Sequence, residues 1–264
     1  MKKVLLFALS IFACISVSAQ DYFEGVITAR SFEKHSDITI KFSQGMLING
    51  ARDAEMHIKG NRVAVVDKVT NVHTIYDLGN KKIYYLFYNI NKAIEMPTAS
   101  LQQMMAGALV PEATDQYLNV LGRECQLYTA SKDTEESGAK IKQNIQIYIC
   151  KELEVHPDLA PFVSQNTGLP YLGVKYVVDT NTTVPLFGQM NSYVAYEIQN
   201  ISACEVDDAV FAVPAEFTVV DGTNNAAMYG VYKENAKVMK KLNKGKKAEP
   251  VTEVKFEINE DWDF

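Results

Sequence analysis

Residues 54–66 run Ala54-Glu55-Met56-His57-Ile58-Lys59-Gly60-Asn61-Arg62-Val63-Ala64-Val65-Val66. Apolar and polar residues alternate in the first half, and this period of two is typical of a strand with one buried and one solvated face. Gly60-Asn61 is a turn signal, and the apolar run after it predicts a second strand. The stretch therefore predicts an antiparallel hairpin.

Short strands continue the pattern on both sides of this hairpin. Tyr22–Arg30 is predicted as the first strand, and the alternation in Asp37–Phe42 predicts the next. After the hairpin, Leu78-Gly79-Asn80 separates the predicted strands Val72–Tyr76 and Ile83–Tyr88. Consecutive strands joined by tight turns indicate an antiparallel meander, and no internal repeat is evident.

The last of these strands, Ile83-Tyr84-Tyr85-Leu86-Phe87-Tyr88, has no polar face. A strand that is apolar on both sides lies either between two layers or with one face in a ligand cavity. In the second case, tyrosine hydroxyls at the rim would orient the polar end of a ligand.

A helix is predicted after Pro97, which ends the strand pattern. Its apolar residues recur at helical spacing and are Leu101, Met104, Met105, Ala108 and Leu109. Thr98 or Ser100 would cap its start, and Pro111 would stop it. Methionine adapts to irregular partners, so this stripe fits either a ligand groove or ordinary core packing against a sheet.

The rest of the chain returns to β patterns with two helical interruptions. We predict a long hairpin from Gly122–Ala130 and Ile141–Cys150. Pro157 and Pro161 restrict the segment Leu153–Val163 to a short helix or two turns. Further strands are predicted at Tyr171–Asp179, Tyr193–Gln199 and Phe217–Val220, with a loop at Thr180–Pro185. Residues 224–243 are compatible with a helix, and the alternating residues 251–264 predict an edge strand.

The N-terminus has the pattern of a secretory signal peptide. Lys2 and Lys3 precede an apolar run, and the small residues Ser16–Ala19 fit a cleavage site after Ala19. We expect a periplasmic or secreted protein, with association to the outer membrane as an alternative. A lipid-anchored form attached through Cys14 is a second alternative.

Composition limits the classes of partner. The 264 residues carry a net charge of −6, which disfavours binding of the nucleic-acid backbone. No stretch after the signal approaches the roughly 18 apolar residues of a membrane-spanning helix. The sequence predicts residues 1–19 as the signal peptide, 20–220 as one β-rich domain and 221–264 as an extension of helix and edge strand.

Three cysteines remain after the signal, and an odd number in an oxidising compartment predicts one disulfide and one free thiol. Cys125 and Cys150 lie on the two arms of the predicted hairpin, so a disulfide between them is expected. Cys204 would then be a buried free thiol. A bond between Cys125 and Cys204 is the alternative.

Catalytic signatures are missing from the sequence. It has no Gly-x-Ser-x-Gly elbow, zinc-binding His-Glu-x-x-His or phosphate-binding glycine loop. The four histidines are interpreted as solvated surface residues, not as a metal site. Asp207-Asp208 fits a turn cap better than acid–base or calcium chemistry. We therefore expect no enzyme activity, metal or cofactor.

Several short motifs resemble uncharacterised secreted-protein families of Gram-negative bacteria. In chain order they are Phe23-Glu24-Gly25-Val26-Ile27, Lys59-Gly60-Asn61-Arg62-Val63, Leu121-Gly122-Arg123-Glu124-Cys125 with Tyr128, Thr167-Gly168-Leu169-Pro170, and Phe211-Ala212-Val213-Pro214 with Phe217. Such domains of unknown function resemble the periplasmic lipoprotein-carrier (Lol-like) fold. The resemblance implies an unclosed antiparallel half-barrel covered by helices, and a function in binding something apolar.

The expected fold is therefore α+β, a curved antiparallel sheet or unclosed half-barrel covered by one to three helices. The expected function is to hold a lipid, an acyl chain or another apolar ligand. The residues predicted to line the site are Tyr85, Phe87, Leu101, Met104, Met105, Ile145, Ile147 and Tyr176. Two alternatives are a cell-envelope interaction module with a filled core, partnered by envelope proteins, and an uncharacterised hydrolase.

Overall fold

The computed structural model describes residues 22–42, 49–100, 109–136, 138–164, 167–185 and 188–242. Its strands are β1 (Gly25–His35), β2 (Gly50–Lys59), β3 (Arg62–Asp67), β4 (Val72–Asp77), β5 (Lys82–Phe87), β6 (Lys92–Pro97), β7 (Glu112–Val120), β8 (Arg123–Glu136), β9 (Ala139–Glu154), β10 (Tyr171–Val184), β11 (Gly188–Ala203) and β12 (Thr218–Asp221). Its helices are α1 (Asp37–Phe42), α2 (Ala160–Val163) and α3 (Asn225–Leu242), with 3-10 turns at Pro157–Leu159 and Asp208–Phe211.

One sheet contains all twelve strands, in the order β12-β6-β5-β4-β3-β2-β1-β11-β10-β9-β8-β7. Every neighbouring pair is antiparallel except β12 and β6, which are parallel. The edge strands β12 and β7 do not pair with each other within the described residues, so the sheet is unclosed. The expectation of an α+β fold built on an unclosed antiparallel sheet is confirmed.

The meander has a ten-residue spacing that sequence inspection missed. Strands β3 to β6 begin at Arg62, Val72, Lys82 and Lys92, and each has six residues. Three four-residue connections separate them, and each ends in a left-handed residue with φ of 50–55° at position 71, 81 or 91. The side chain of Asp67 accepts hydrogen bonds from the backbone N–H groups of residues 69 and 70 (2.8 and 3.1 Å). Such aspartate turns fix the hairpin register.

The predicted strand at Asp37–Phe42 is wrong, since these residues form helix α1. Ser36 precedes the helix, and its hydroxyl accepts a hydrogen bond from the backbone N–H of Thr39 (3.3 Å). Its carbonyl accepts the first helical bond, from the N–H of Ile40 (3.0 Å). A serine cap with an acidic first turn therefore outweighs a period of two that lasts only six residues.

The predicted loop Thr180–Pro185 is also wrong, because β10 continues to Val184 and β11 begins at Gly188. Thr182 pairs with Met190 in this part of the ladder. Threonine is β-branched and favours strands, so a polar segment can still form the end of a long hairpin. The strands β6 and β7 were not predicted.

The two faces of the sheet are covered by different segments. We call residues 204–217 the strap; it packs on one face, the strap face, where its residues Val206, Phe211 and Phe217 join a core with Ile75 and Leu86. The opposite face is the cavity face. Helix α3 packs there through Val231 and Tyr232, and α2 packs there through Val163.

Polar contacts fix the strap to the hairpin β2–β3. Lys59 donates from Nζ to the backbone carbonyl of Val206 (2.8 Å). Arg62 bonds Asp208 (2.5 Å), and its guanidinium carbon lies 4.5 Å from the centre of the Phe211 ring. These contacts hold the strap against the sheet where the chain crosses from β11 to β12.

Several other predictions are confirmed. The hairpin of β8 and β9 forms, the segment with Pro157 and Pro161 makes only a 3-10 turn and one helical turn, and α3 occupies the predicted helix. The signal peptide, most of the predicted helix Leu101–Leu109 and the predicted strand 251–264 lie outside the described residues. Within the described residues, no helix combines the length and hydropathy that crossing a membrane requires.

Candidate ligand-binding cavity

A cavity of about 710 Å³ lies on the cavity face of the sheet. Seven adjacent strands, from β5 to β10 in sheet order, contribute most of its wall. The turn residue Thr70 and the helices α2 and α3 contribute the rest. The residues that the sheet contributes are Ser31, Glu33, Arg52, Ala54, Met56, Val63, Val65, Asp67, Val72, Thr74, Tyr76, Tyr85, Phe87, Tyr176, Val194 and Tyr196. Ligand sites in proteins commonly measure about 300–1,000 Å³, so this volume is sufficient for a small molecule.

Strand register explains why these residues meet. On each strand the lining positions differ by two, as at residues 52, 54 and 56 or 72, 74 and 76. Across strands, Ser31 lies opposite Arg52, and Val65 lies opposite Thr74. Because successive side chains in a strand point to opposite faces, these lining side chains all lie on one continuous face of the sheet.

Aromatic rings form much of the cavity wall. Tyr176 and Tyr196 are stacked with ring centres 4.8 Å apart. At the α3 side, Phe87 meets Tyr232 edge to face at 5.5 Å. At the α2 side, Phe162 packs against the lining residue Tyr76 with a separation of 4.9 Å. The two helices therefore bound the cavity through aromatic contacts with the sheet.

The tyrosine hydroxyls in this wall remain protonated at neutral pH. Burial raises the pKa of Tyr176 and of Tyr232 to about 12. It also raises the pKa of Tyr76, Tyr85 and Tyr196. These phenols are therefore neutral hydrogen-bonding groups in the cavity wall.

One end of the cavity is charged. Arg52 lies between two carboxylates: it contacts Glu33 directly, and its Nη1 is 3.3 Å from Oδ2 of Asp67. Only 17% of the Arg52 side chain is exposed, with 12% for Glu33 and 18% for Asp67. The Nε–H of Arg52 is buried and finds no hydrogen-bond partner in the described part of the chain. We call these three residues the polar end.

His35 supports the polar end from the position after Glu33 on the same face of β1. It is buried, so the expectation of a solvated histidine is wrong here. Its Nε2 lies 2.9 Å from Glu33 Oε2, and its Nδ1 lies 2.9 Å from the Ser192 hydroxyl. Burial lowers the pKa of His35, which favours the neutral ring. Because a carboxylate only accepts, the neutral ring donates from Nε2 to Glu33 and accepts at Nδ1.

The structure brings together three of the predicted lining residues, Tyr85, Phe87 and Tyr176. Ile147 lies opposite Tyr176 in the register, but it is fully buried in a cluster with Tyr128 and Ile149 and does not line the cavity. Ile145 is on the same face one step further along β9 and does not line the cavity. Leu101, Met104 and Met105 lie outside the described residues.

Sequence inspection missed the polar end and most of the wall. Arg52 and Glu33 interrupt apolar alternation, so they resemble ordinary solvated positions. The useful signal was the phase of the strands: Arg52 falls in phase with Ala54 and Met56, on the face that the pattern assigns to the interior. A charged residue in phase with apolar ones indicates a buried polar site.

The predicted disulfide between Cys125 and Cys150 is wrong. Both residues are fully buried free thiols, and Cys204 is free as well but exposed, not buried. The two buried residues belong to one core cluster, and the Cys125 thiol donates to the backbone carbonyl of Arg123 (3.4 Å). The neighbouring Cys125 side chain lowers the pKa of Cys150. The hairpin spacing predicted that Cys125 and Cys150 lie close together, but it could not show whether they form a disulfide.

Asp207 and Asp208 have separate structural contacts. Asp207 caps the 3-10 turn, its carboxylate accepting from the backbone N–H of Ala209 (2.9 Å). Asp208 contacts Lys59 and Arg62. Among the described residues, no group of three or more histidines, cysteines and carboxylates is placed to hold a metal ion.

The chain matches no protein-family model, and no curated protein is significantly similar to it.

Proposed function

We propose that this protein is a non-enzymatic binding protein that holds a lipid, an acyl chain or another apolar molecule in the cavity. The observation that carries the proposal is a cavity of about 710 Å³ walled by aromatic and aliphatic side chains. A concave, mostly apolar site with a few placed polar groups is the usual form of a small-molecule site. A module that acted only as a scaffold would be expected to fill this space with side chains.

The proposal includes a half-barrel shape for the sheet, like that of the lipoprotein carriers that the sequence motifs resemble. It also includes export to the periplasm or beyond, as the N-terminal pattern predicts. An exported carrier of this kind would shield an apolar molecule from water between membranes. The wall residues Tyr85, Phe87 and Tyr176 are the proposed contacts for the apolar part of the ligand.

Filling the cavity tests the proposal. Ala54 lies in the wall, whereas Ala51 on the same strand is exposed on the opposite face. The fluorescence of N-phenylnaphthylamine, a neutral apolar probe, should increase on binding to the natural protein. Ala54→Phe should weaken probe binding by at least about tenfold, equivalent to about 1.4 kcal/mol. Ala51→Phe is the matched control and should bind like the natural protein; equal binding by both variants would exclude the cavity as the site.

A second candidate function is ester hydrolysis, and one observation favours it. The Ser192 hydroxyl, His35 and Glu33 form a hydrogen-bonded chain with two steps of 2.9 Å, in the order of nucleophile, base and carboxylate. Against it, Ser192 lies inside β11, paired with β1 on one side and β10 on the other. Backbone N–H groups in this strand form the hydrogen bonds of the sheet, so they do not form an oxyanion site.

A fluorophosphonate probe separates the two functions, because it labels only an activated serine. If the protein only binds apolar molecules, the probe should not label Ser192, and Ser192→Ala should be labelled to the same extent as the natural protein. Labelling of Ser192 in the natural protein would instead establish hydrolysis.

A further inference from the structure

We propose that the cavity prefers apolar molecules that carry a positively charged nitrogen, such as long-chain amines, and that it places the ammonium head at the polar end. This inference rests on the proposed binding function and adds the chemical class of the ligand.

The charges that line the cavity favour a cationic head. Among the described residues, the charged lining groups are the carboxylates of Glu33 and Asp67 and the guanidinium of Arg52, which together carry one net negative charge. Their side chains are 12–18% exposed, and water screens charges poorly at such positions. His35 contacts Glu33 but does not cancel the excess, because burial lowers its pKa and favours the neutral ring. An ammonium head is therefore attracted, and a carboxylate or phosphate head is repelled.

Both carboxylates keep acceptor capacity beside Arg52. A carboxylate has about four acceptor sites on its two oxygens. Glu33 contacts Arg52 through Oε1 and His35 through Oε2. Asp67 accepts from Arg52 through Oδ2 and from the backbone N–H groups of Val69 and Thr70 through Oδ1. Within the described residues, these contacts leave about two acceptor sites on the glutamate and one on the aspartate. An ammonium group has three donors that can use them.

Neutral tyrosines adjoin the polar end. Ser31 lies opposite Arg52 on one side and opposite Tyr196 on the other, so the stacked pair of Tyr176 and Tyr196 stands beside the charged residues on the cavity face. Burial raises the pKa of Tyr176 to about 12, and the nearby positive charge of Arg52 acts in the opposite direction. The face of a tyrosine ring attracts a cation, and its hydroxyl oxygen accepts a hydrogen bond from an ammonium. Aromatic rings next to a net negative charge therefore suit an ammonium head.

Competition among three ligands with the same ten-carbon chain tests the inference on the natural protein. Decylamine, decanol and decanoate each compete with N-phenylnaphthylamine at neutral pH, where the amine is positively charged and the acid negatively charged. We expect decylamine to bind at least about tenfold more tightly than either of the others, equivalent to about 1.4 kcal/mol. Equal or tighter binding of decanol or decanoate would overturn the head-group inference but leave the binding function standing. If the probe and all three ligands fail to bind, the proposed function fails, and this inference fails with it.

A single-charge variant tests the mechanism of selection. Asp67→Asn removes the excess negative charge and keeps a side-chain oxygen for the two backbone N–H groups. It should reduce the preference for decylamine over decanoate by about tenfold. Asp53→Asn is the matched control and should leave the preference unchanged, because it removes the same charge from an exposed side chain that pairs with Arg30. An unchanged preference in a folded Asp67→Asn protein, or an equal reduction in Asp53→Asn, would overturn the electrostatic argument. If Asp67→Asn does not fold, the three-ligand comparison decides the inference.

Discussion

Replacing Arg52 with methionine should destabilise the protein far more than the same change at Arg30. Arg52 bridges Glu33 and Asp67, whose side chains are 12% and 18% exposed. Methionine keeps much of the aliphatic volume but leaves two mostly buried carboxylates without their cation. Breaking a buried ion pair by removing one partner costs about 3–5 kcal/mol. We expect a loss of about 3 kcal/mol, the lower end of this range, because Glu33 keeps its contact with His35.

Arg30 is the matched control, since it lies on β1 and also pairs with a carboxylate. Its side chain is 46% exposed and that of its partner Asp53 is 68% exposed. Arg30→Met should therefore cost about 0–1 kcal/mol. Urea unfolding at pH 7, followed by circular dichroism, measures both variants. A loss for Arg52→Met no greater than for Arg30→Met would refute the view that the polar end is a buried charge cluster.

Four further predictions test the packing and the state of the side chains. Gly173→Ala should destabilise the protein by about 1–3 kcal/mol, because a Cβ there would lie 2.5 Å from Cδ1 of Ile147. Gly230→Ala is the control and should not destabilise the protein, because a Cβ at this helical position would meet no atom within 4 Å. Thermal unfolding measures both variants. Asp207→Ala should cost about 1 kcal/mol of unfolding free energy through the lost turn cap, with the exposed Glu205→Ala as a neutral control. A thiol reagent should label Cys204 alone in the folded protein and also Cys125 and Cys150 in denaturant; failure of the buried pair to react after unfolding would indicate a disulfide. Burial raises the pKa of Tyr176 and Tyr232 from the ordinary tyrosine value of 10.0 to about 12, so the unfolded state loses these protons first. The free energy of unfolding should therefore decrease as pH rises from 10 to 12. Tyrosinate absorbance at pH 10 that is equal in the folded protein and the unfolded chain would contradict this.

Local patterns were sufficient to predict most of the meander and the later hairpins. Alternation and turn residues act over a few neighbours, so Gly60-Asn61 and the aromatic strand Ile83–Tyr88 indicated the hairpins correctly. The same local rule failed at Asp37–Phe42, where the hydroxyl of Ser36 caps a helix. The ten-residue spacing of β3 to β6 was overlooked because the turns share a backbone conformation more than a residue type: Asn71 and Lys81 both have φ of 55°.

The candidate site could be predicted only in part, because its residues come from strands far apart in sequence. The absence of a polar face on Ile83–Tyr88 led to Tyr85 and Phe87, which line the cavity, while Tyr84 and Leu86 lie under the strap. Which strand lies beside which was not available from local patterns. The pairing of β1 with β11 places Ser192 opposite His35 across more than 150 residues. The contact through which His35 supports the polar end depends on that pairing and could not be assembled from the sequence.

Native mass spectrometry of the protein purified from its own cells would show whether the cavity holds an apolar molecule. Gentle ionisation preserves noncovalent complexes, and collisional activation then releases the bound molecule for identification. We predict a population that carries one apolar molecule, absent from the Ala54→Phe variant and retained by Ala51→Phe. A ligand-free protein that also fails to take up N-phenylnaphthylamine would mean that the cavity is not a binding site for apolar molecules.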